Sequence, residues 1–239
     1  AASAIHINIF GPHPIVVFGN DEQRQRWLPD LVQGKVKTCF GVTEPDAGLN
    51  TSQIKTKAEK NGNGYVVNGK KLWTTTAQEA DKVMLLARTT PREAVTKPTD
   101  GLTLFYTDLD RKYCDVREIP KMGRAAVDSN EVFFDGLPVP LDDRVGEEGE
   151  GFKYILHSLN PERILIGAEA VGLGQNALAR AVEYAKTRVV FDRPIGQNQS
   201  IQHPLAENWM ELEAAYLMAS KAAWLYDHGE ACGAESNAA

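Results

Sequence analysis

Cysteine is scarce in this chain. Three residues (Cys39, Cys114 and Cys232), odd in number and far apart, cannot build a disulfide framework or a zinc site, and they fit a reducing compartment. Cationic charge is also short. Lys and Arg number 26 against 32 Asp and Glu, a net charge of −6 with no basic stripe, so nucleic acid is not expected as a partner. No apolar run reaches the roughly 20 residues of a membrane span. Five histidines (His6, His13, His157, His203, His228) show no ligand spacing, so no metal is assigned. No G-x-G-x-x-G follows a strand and no G-x-S-x-G elbow occurs, which argues against a dinucleotide fingerprint and a hydrolase. A starting Met and a charged n-region are lacking, so no signal peptide is read, and no internal repeat or low-complexity tract is present. What remains is an ordinary globular composition, 43% hydrophobic and 24% charged, with room in 239 residues for one large or two modest domains.

Residues 1–36 read as helical with a break at Gly11-Pro12-His13-Pro14. Asn20-Asp21-Glu22 is read as the cap and first turn of a helix carrying Trp27, Leu28, Leu31 and Val32, which Gly34 ends. From residue 37 to about 145 the period shortens. Residues 38–42, 54–58, 65–69, 83–87, 102–106 and 132–134 read as strands, Asn61-Gly62-Asn63-Gly64 as a hairpin turn, and residues 88–101 as a polar loop. Their spacing, without crossover helices, predicts an antiparallel barrel or sandwich. The helical period returns at Gly151. One long helix is expected from about Phe152 or Pro161 to Arg188, and a second from near Ser200 to about His228. The second carries Ile201, Leu205, Trp209, Leu212, Tyr216, Ala219, Ala223 and Tyr226 at three- and four-residue steps. The fold class expected is α+β and multi-domain: N-terminal helices in 1–36, a middle antiparallel β-barrel or sandwich in 37–147, and a C-terminal helical bundle in 148–239.

The densest information lies in Phe40-Gly41-Val42-Thr43-Glu44-Pro45-Asp46-Ala47-Gly48-Leu49. A short apolar strand runs into a polar turn, which exposes backbone N–H groups and the Thr43 hydroxyl at the end of a rigid element. That suits a flat, polar-edged ligand such as a flavin ring or a phosphate. An ordinary strand-to-loop corner has the same composition. Further on, Lys71-Leu72-Trp73-Thr74-Thr75-Thr76 sets an aromatic before hydroxyls, again at a strand end. Trp73 also reads as a plain core tryptophan. In Leu159-Asn160-Pro161-Glu162-Arg163, the residues alone allow Glu162 to be a first-turn glutamate after an N1 proline, with Arg163 paired to it.

These segments together resemble the acyl-CoA dehydrogenase family of flavoproteins, whose members carry T-E-P-x-A-G-S and then N-G-x-K-x-W-I-T. Here they read Thr43-Glu44-Pro45-Asp46-Ala47-Gly48-Leu49 and Asn68-Gly69-Lys70-Lys71-Leu72-Trp73-Thr74-Thr75. The resemblance covers essentially the whole chain. It implies an α-domain, a middle β-domain and a C-terminal four-helix bundle, here incomplete: a fragment lacking material at both ends that holds FAD poorly by itself. It also implies removal of the α-proton of an acyl-CoA by a carboxylate, with the β-hydrogen leaving as hydride to FAD.

On that resemblance the base is Glu162, placed as in the isovaleryl-CoA and long-chain branches. In most members the base lies beyond the end of this chain. Asn160 and Arg163 would meet the acyl-CoA substrate. Phe40, Val42 and Thr43 would hold the isoalloxazine ring, with Gly48, Leu49, Trp73, Thr74 and Thr75 from the same two segments. Leu49 departs from a family serine, with Thr51 and Ser52 as the nearby hydroxyls. Thr187-Arg188-Val189-Val190-Phe191-Asp192-Arg193-Pro194-Ile195-Gly196-Gln197-Asn198-Gln199 resembles R-x-x-F-G-x-x-I-x-x-x-Q. There Arg188, Phe191 and Gln199 would reach a partner subunit's FAD, and Asp192 replaces a common Gly. Its other reading is a solvated helix connection. The resemblance further implies a homodimer or homotetramer, an electron-transferring flavoprotein as acceptor, and a bacterial cytoplasm or a mitochondrial matrix. An acyl-CoA oxidase, or a non-catalytic acyl-CoA-binding scaffold on the same fold, stands as the alternative.

Overall fold

The structure, a computed structural model, describes residues 6–8 and 10–239. The chain divides into two compact units, one running to Ser158 and the other from Leu159 to Ala239.

In the first unit, helix α1 (His13–Phe18) follows a Gly11-Pro12 turn. The expected break is thus narrower than Gly11 to Pro14, because proline is tolerated in a helix's first turn. Helix α2 (Asp21–Val32) opens with a capping box: the Asn20 side chain accepts from the Gln23 amide at 2.8 Å, and Gln23 Oε1 accepts from the Asn20 amide at 3.1 Å. Asp21 and Glu22 add negative charge where the helix dipole favours it. Gln23 then donates through Nε2 to the carbonyls of Asp142 and Arg144, which ties α2 to the far end of the β-domain.

The strands are β1 (Thr38–Gly41), β2 (Lys57–Asn61), β3 (Gly64–Thr75), β4 (Lys82–Arg88), β5 (Leu102–Asp108), β6 (Cys114–Glu118), β7 (Ser129–Pro140) and β8 (Arg144–Val145). They form one eight-stranded sheet in the order β6-β7-β3-β2-β4-β5-β8, with β1 alongside β4. Pairing is antiparallel except that β1 runs parallel to β4, and β2 meets β4 at the single parallel pair Lys57–Arg88. The strand expected at 54–58 lies at Lys57–Asn61 instead, because Ile54 and Thr56 are drawn into the loop that carries the candidate site. The hairpin turn is Gly62-Asn63, with Gly62 at φ 57°, the conformation for which a tight hairpin selects glycine.

Strand β4 shows why the sheet holds together. Val83, Leu85 and Ala87 enter one apolar core with Cys39, Tyr65, Val67, Phe105 and Phe134. Met84 and Leu86 enter a second, with Ile15, Trp27, Leu104, Tyr106 and Tyr154. The sheet is thus covered on both faces, by its own curled strands on one side and by helices on the other. Trp27 meets the Tyr106 ring edge-on at 5.0 Å.

Helix α3 (Gly151–Thr187) crosses the unit boundary. In the second unit it is followed by a two-stranded ribbon, β9 (Val189–Val190) and β10 (Arg193–Pro194), then α4 (Gln199–Asp227) and the short α5 (Gly233–Ala238). Antiparallel packing of α3 on α4 is read from two glycines. A Cβ on Gly174 would lie 2.5 Å from Leu212 Cδ2, and one on Gly167 would lie 3.8 Å from Ala219. On α4 the apolar stripe is only partly used: Trp209, Tyr216, Leu217 and Trp224 are each more than half exposed. Among the described residues no helix is long and apolar enough to cross a membrane.

Candidate functional site

Strand β1 ends at Gly41 and leads into the turn 42–49. The turn closes on itself, the Glu44 and Ala47 amides each donating to the other's carbonyl at 3.3 and 3.1 Å. Its first half is fastened to β3. The Leu72 amide donates to the Thr43 carbonyl at 2.8 Å, and Lys71 Nζ donates to the Val42 carbonyl at 3.0 Å and to Glu44 Oε1 at 2.8 Å. The Glu44 carboxylate also accepts from the amides of Lys55 (2.7 Å) and Thr56 (3.0 Å). Lys71 is 0% exposed at its side chain and Glu44 5%, so this ion pair lies under the turn, out of water.

Burial works against charge on both partners. It draws the Lys71 ammonium down to about 8 against the pull of Glu44. For Glu44, burial is outweighed by Lys71 and the amide donors, so its carboxyl sits below the usual carboxylate range. These two residues were missed in the sequence. The available signal was strand parity: Lys71 falls on the same inward face as Tyr65 and Val67.

Two residues beyond Lys71 the strand breaks its alternation. The pairing of β3 with β7 shifts register between Lys71 and Thr74, and Trp73 adopts φ 60°. A left-handed backbone is a true outlier for a bulky aromatic and costs on the order of 1–2 kcal/mol. The bulge turns Trp73 outward, 56% exposed, which overturns its reading as a core tryptophan. Thr74 is buried beside it with a hydroxyl that finds no partner, and Thr75 is half-buried.

The other expected residues of this segment divide by exposure. Phe40 is half-buried and meets Phe10 edge-on at 5.0 Å, Val42 and Thr43 are half-buried, Gly48 is exposed, and Leu49 is fully open to solvent. Of the nearby hydroxyls, Ser52 is taken up by Asn50 Oδ1 at 2.6 Å.

In the second unit Asn160, Glu162 and Arg163 sit half-buried within α3. The helix begins at Gly151, so Pro161 is an interior residue and Glu162 is not in a first turn. The first-turn reading fails, because the dipole's influence has faded that far from the end. Arg163 donates through Nη1 to Asn160 Oδ1 at 3.2 Å, one helical turn back.

The segment carrying Arg188, Phe191 and Gln199 links α3 to α4 as a two-stranded ribbon whose residues 188–193 are all exposed, as a solvated connection would be. Phe191 and Asp192 form its two-residue tip, at φ 50° and 60°. That is the twist a primed hairpin demands, met here without glycine. Phe191 stands 94% exposed at the tip, and Arg193 donates to Asn198 Oδ1 at 2.6 Å, inside the segment.

Helices, a curled β-sheet whose first strand ends in a polar corner fastened to β3, and a long helical hairpin define an α–β–α protein. Models of the acyl-CoA dehydrogenase N-terminal, middle and C-terminal domains match residues 1–35, 39–137 and 149–239. The chain belongs to the acyl-CoA dehydrogenase family. It is 38% identical over 229 residues to the acyl-CoA dehydrogenase FadE12 of Mycobacterium bovis, covering 92% of this chain and 56% of that relative. Butyryl-CoA dehydrogenase from Megasphaera elsdenii matches with a TM-score of 0.91 and 34% identity, over 98% of this chain and 62% of its own. The prolyl acyl carrier protein oxidase AnaB matches with a TM-score of 0.93 and 30% identity, over the same shares. The chain therefore spans little more than half the length of the curated relatives it matches.

Proposed function

We propose that this chain carries the flavin-gripping and proton-abstracting parts of an FAD-dependent acyl-CoA dehydrogenase. The observation that supports this best is the strained, outward Trp73 set against the turn 42–49 by a buried ion pair: a flat aromatic surface beside polar backbone, held rigid from below. The donor set fits FAD. The corner offers an indole face, the half-buried hydroxyls of Thr43 and Thr75, and an open Gly48 where a side chain would meet nothing within 4 Å. FAD bound there supplies the acceptor for a hydride.

The chain's own residues do the rest. Phe40, Val42 and Thr43 hold one edge of the ring, Trp73, Thr74 and Thr75 its other border, and Gly48 and Leu49 leave the approach open. Glu162 takes the α-proton of the thioester onto its carboxylate as the β-hydrogen departs with its electron pair, leaving the α,β-unsaturated acyl-CoA. Asn160 and Arg163, already bonded to each other, present a cation and an amide to the acyl-CoA. Arg188, Phe191 and Gln199 serve a second subunit's FAD, in a homodimer or homotetramer, and an electron-transferring flavoprotein takes the electrons onward. The functional division is N-terminal helices in 1–36, the β-domain in 37–147 and helices in 148–239. A second reading, an oxidase acting on an acyl thioester, is favoured by the likeness to AnaB.

The test follows flavin absorbance of the purified full-length protein during anaerobic titration with acyl-CoAs of varied length and branching, Glu162→Gln alongside. Bleaching by wild type alone, with substrate binding intact in both, is the expected result. Bleaching by both moves the base elsewhere. Rapid reoxidation with peroxide in air selects the oxidase, and absence of flavin selects a binding scaffold.

A further inference from the structure

We infer that Lys71 and Glu44 are positioning residues for the flavin: the buried pair sets the ring's seat as well as supporting the fold. The inference rests on the flavin reading above. Removing two charges from water is costly, and well-packed apolar residues of similar volume usually serve stability as well or better. Fold stability alone therefore gives little reason for a pair at 0% and 5% exposure.

What an apolar pair cannot supply is the directional bonding. Lys71 Nζ reaches the Val42 carbonyl, and Glu44 collects the Lys55 and Thr56 amides, so one ion pair joins three segments: the turn, β3 and the loop before β2. The next residue repeats the link through the Leu72 amide and the Thr43 carbonyl. The tethers on β3, from Lys71 and Leu72, close immediately before the Trp73 bulge. The pair therefore fixes the distance between the two borders of the proposed seat, the 42–43 edge and the indole. Neither charged group is on the surface, so each acts through the backbone it holds.

The experiment uses the full-length protein with its flavin and compares wild type, Glu44→Gln and the double variant Lys71→Met/Glu44→Leu. Thermal unfolding reports the fold. FAD affinity and the visible circular dichroism of the flavin report the seat, and a purely structural role would leave these two in step with stability. The double variant is expected to unfold below the wild-type temperature, since the Lys55 and Thr56 amides and the Val42 carbonyl lose their partners, and, at a temperature where both proteins are fully folded, to hold FAD about tenfold more weakly, the order of one lost charge-assisted hydrogen bond, with an altered flavin dichroism. Glu44→Gln keeps the shape but loses one acceptor, and is expected to shift both flavin readouts in the same direction. If the double variant does not fold, Glu44→Gln alone decides. Wild-type affinity and dichroism in whichever variants fold would overturn the inference while leaving the flavin reading standing. A wild-type protein without flavin would overturn that reading, and the inference with it.

Discussion

Lys71 and Trp73 are two residues apart on one strand, yet Lys71 is fully buried and Trp73 is more than half exposed. An unbroken strand would send both side chains to the same face. The bulge between Lys71 and Thr74 separates them, and its cost is carried by Trp73 at φ 60°. The first prediction is that Trp73→Gly is more stable than Trp73→Ala by about 1 kcal/mol, because only glycine occupies that conformation without a Cβ penalty. Urea unfolding of the two variants measures it. Equal stability, or alanine the better, would show that the backbone there is not strained.

Glu44 predicts an acid limb of stability. Burial raises its carboxyl, but Lys71 and the amides of Lys55 and Thr56 win, and the folded value lies below the ordinary 4.5. The folded state thus holds that proton less tightly than the unfolded chain. The contribution is whole above about 4.5 and is lost as pH falls through the folded value. Glu44→Gln removes the titration. The stability gap between wild type and this variant should shrink as pH falls below 4.5. A gap that stays constant to the acid end would contradict the assignment.

How much of this was legible in the sequence depends on the kind of information required. The two long helices were readable because three- and four-residue steps persist over many turns, and both ends of α4 fall within a residue of those expected. Strand β6 (Cys114–Glu118) was not. Its apolar face is only Cys114 and Val116, with Asp115, Arg117 and Glu118 exposed at the sheet's edge, an alternation too short to read. Pro161 misled for a different reason: proline marks a helix start by statistics, and here α3 runs through it from Gly151. The turn 42–49 was visible as a polar corner at the end of an apolar strand. The bulge that turns Trp73 outward was not, because the departure from alternation arises from pairing with β7 rather than from residue type.

Gly69, in the same motif as Lys71, predicts a severe substitution. It sits at φ 154°, and a Cβ there would lie 2.7 Å from Thr56 Cα and 2.5 Å from Thr56 Oγ1. Thr56 cannot yield cheaply, since its amide is one of the donors that hold Glu44. Gly69→Ala combines backbone strain with a backbone clash, and is expected to lower stability by roughly 2–4 kcal/mol. Thermal or urea unfolding should reveal the loss. A variant within about 0.5 kcal/mol of wild type, the range of a neutral surface change, would mean that β3 does not pass this close to Thr56.

The ribbon tip gives the opposite sign. Phe191 and Asp192 both lie in the left-handed region, where the short polar side chain of Asp is tolerated better than the ring of Phe, and glycine better than either. Asp192 forms no ion pair with its neighbour Arg193, whose guanidinium goes to Asn198, so removing the carboxylate breaks no contact seen at the tip. Asp192→Gly should therefore stabilise the protein, by about 0.5–1 kcal/mol, since relief of strain at positive φ exceeds the added freedom of the unfolded chain. Phe191→Gly relieves similar strain but removes a ring that stands 94% exposed. It is expected to gain stability while losing flavin occupancy if Phe191 serves a second subunit. Unfolding measurements paired with flavin content of the assembled protein separate the two effects. A Phe191→Gly protein with full flavin content would remove Phe191 from the proposed site and leave the strain argument intact.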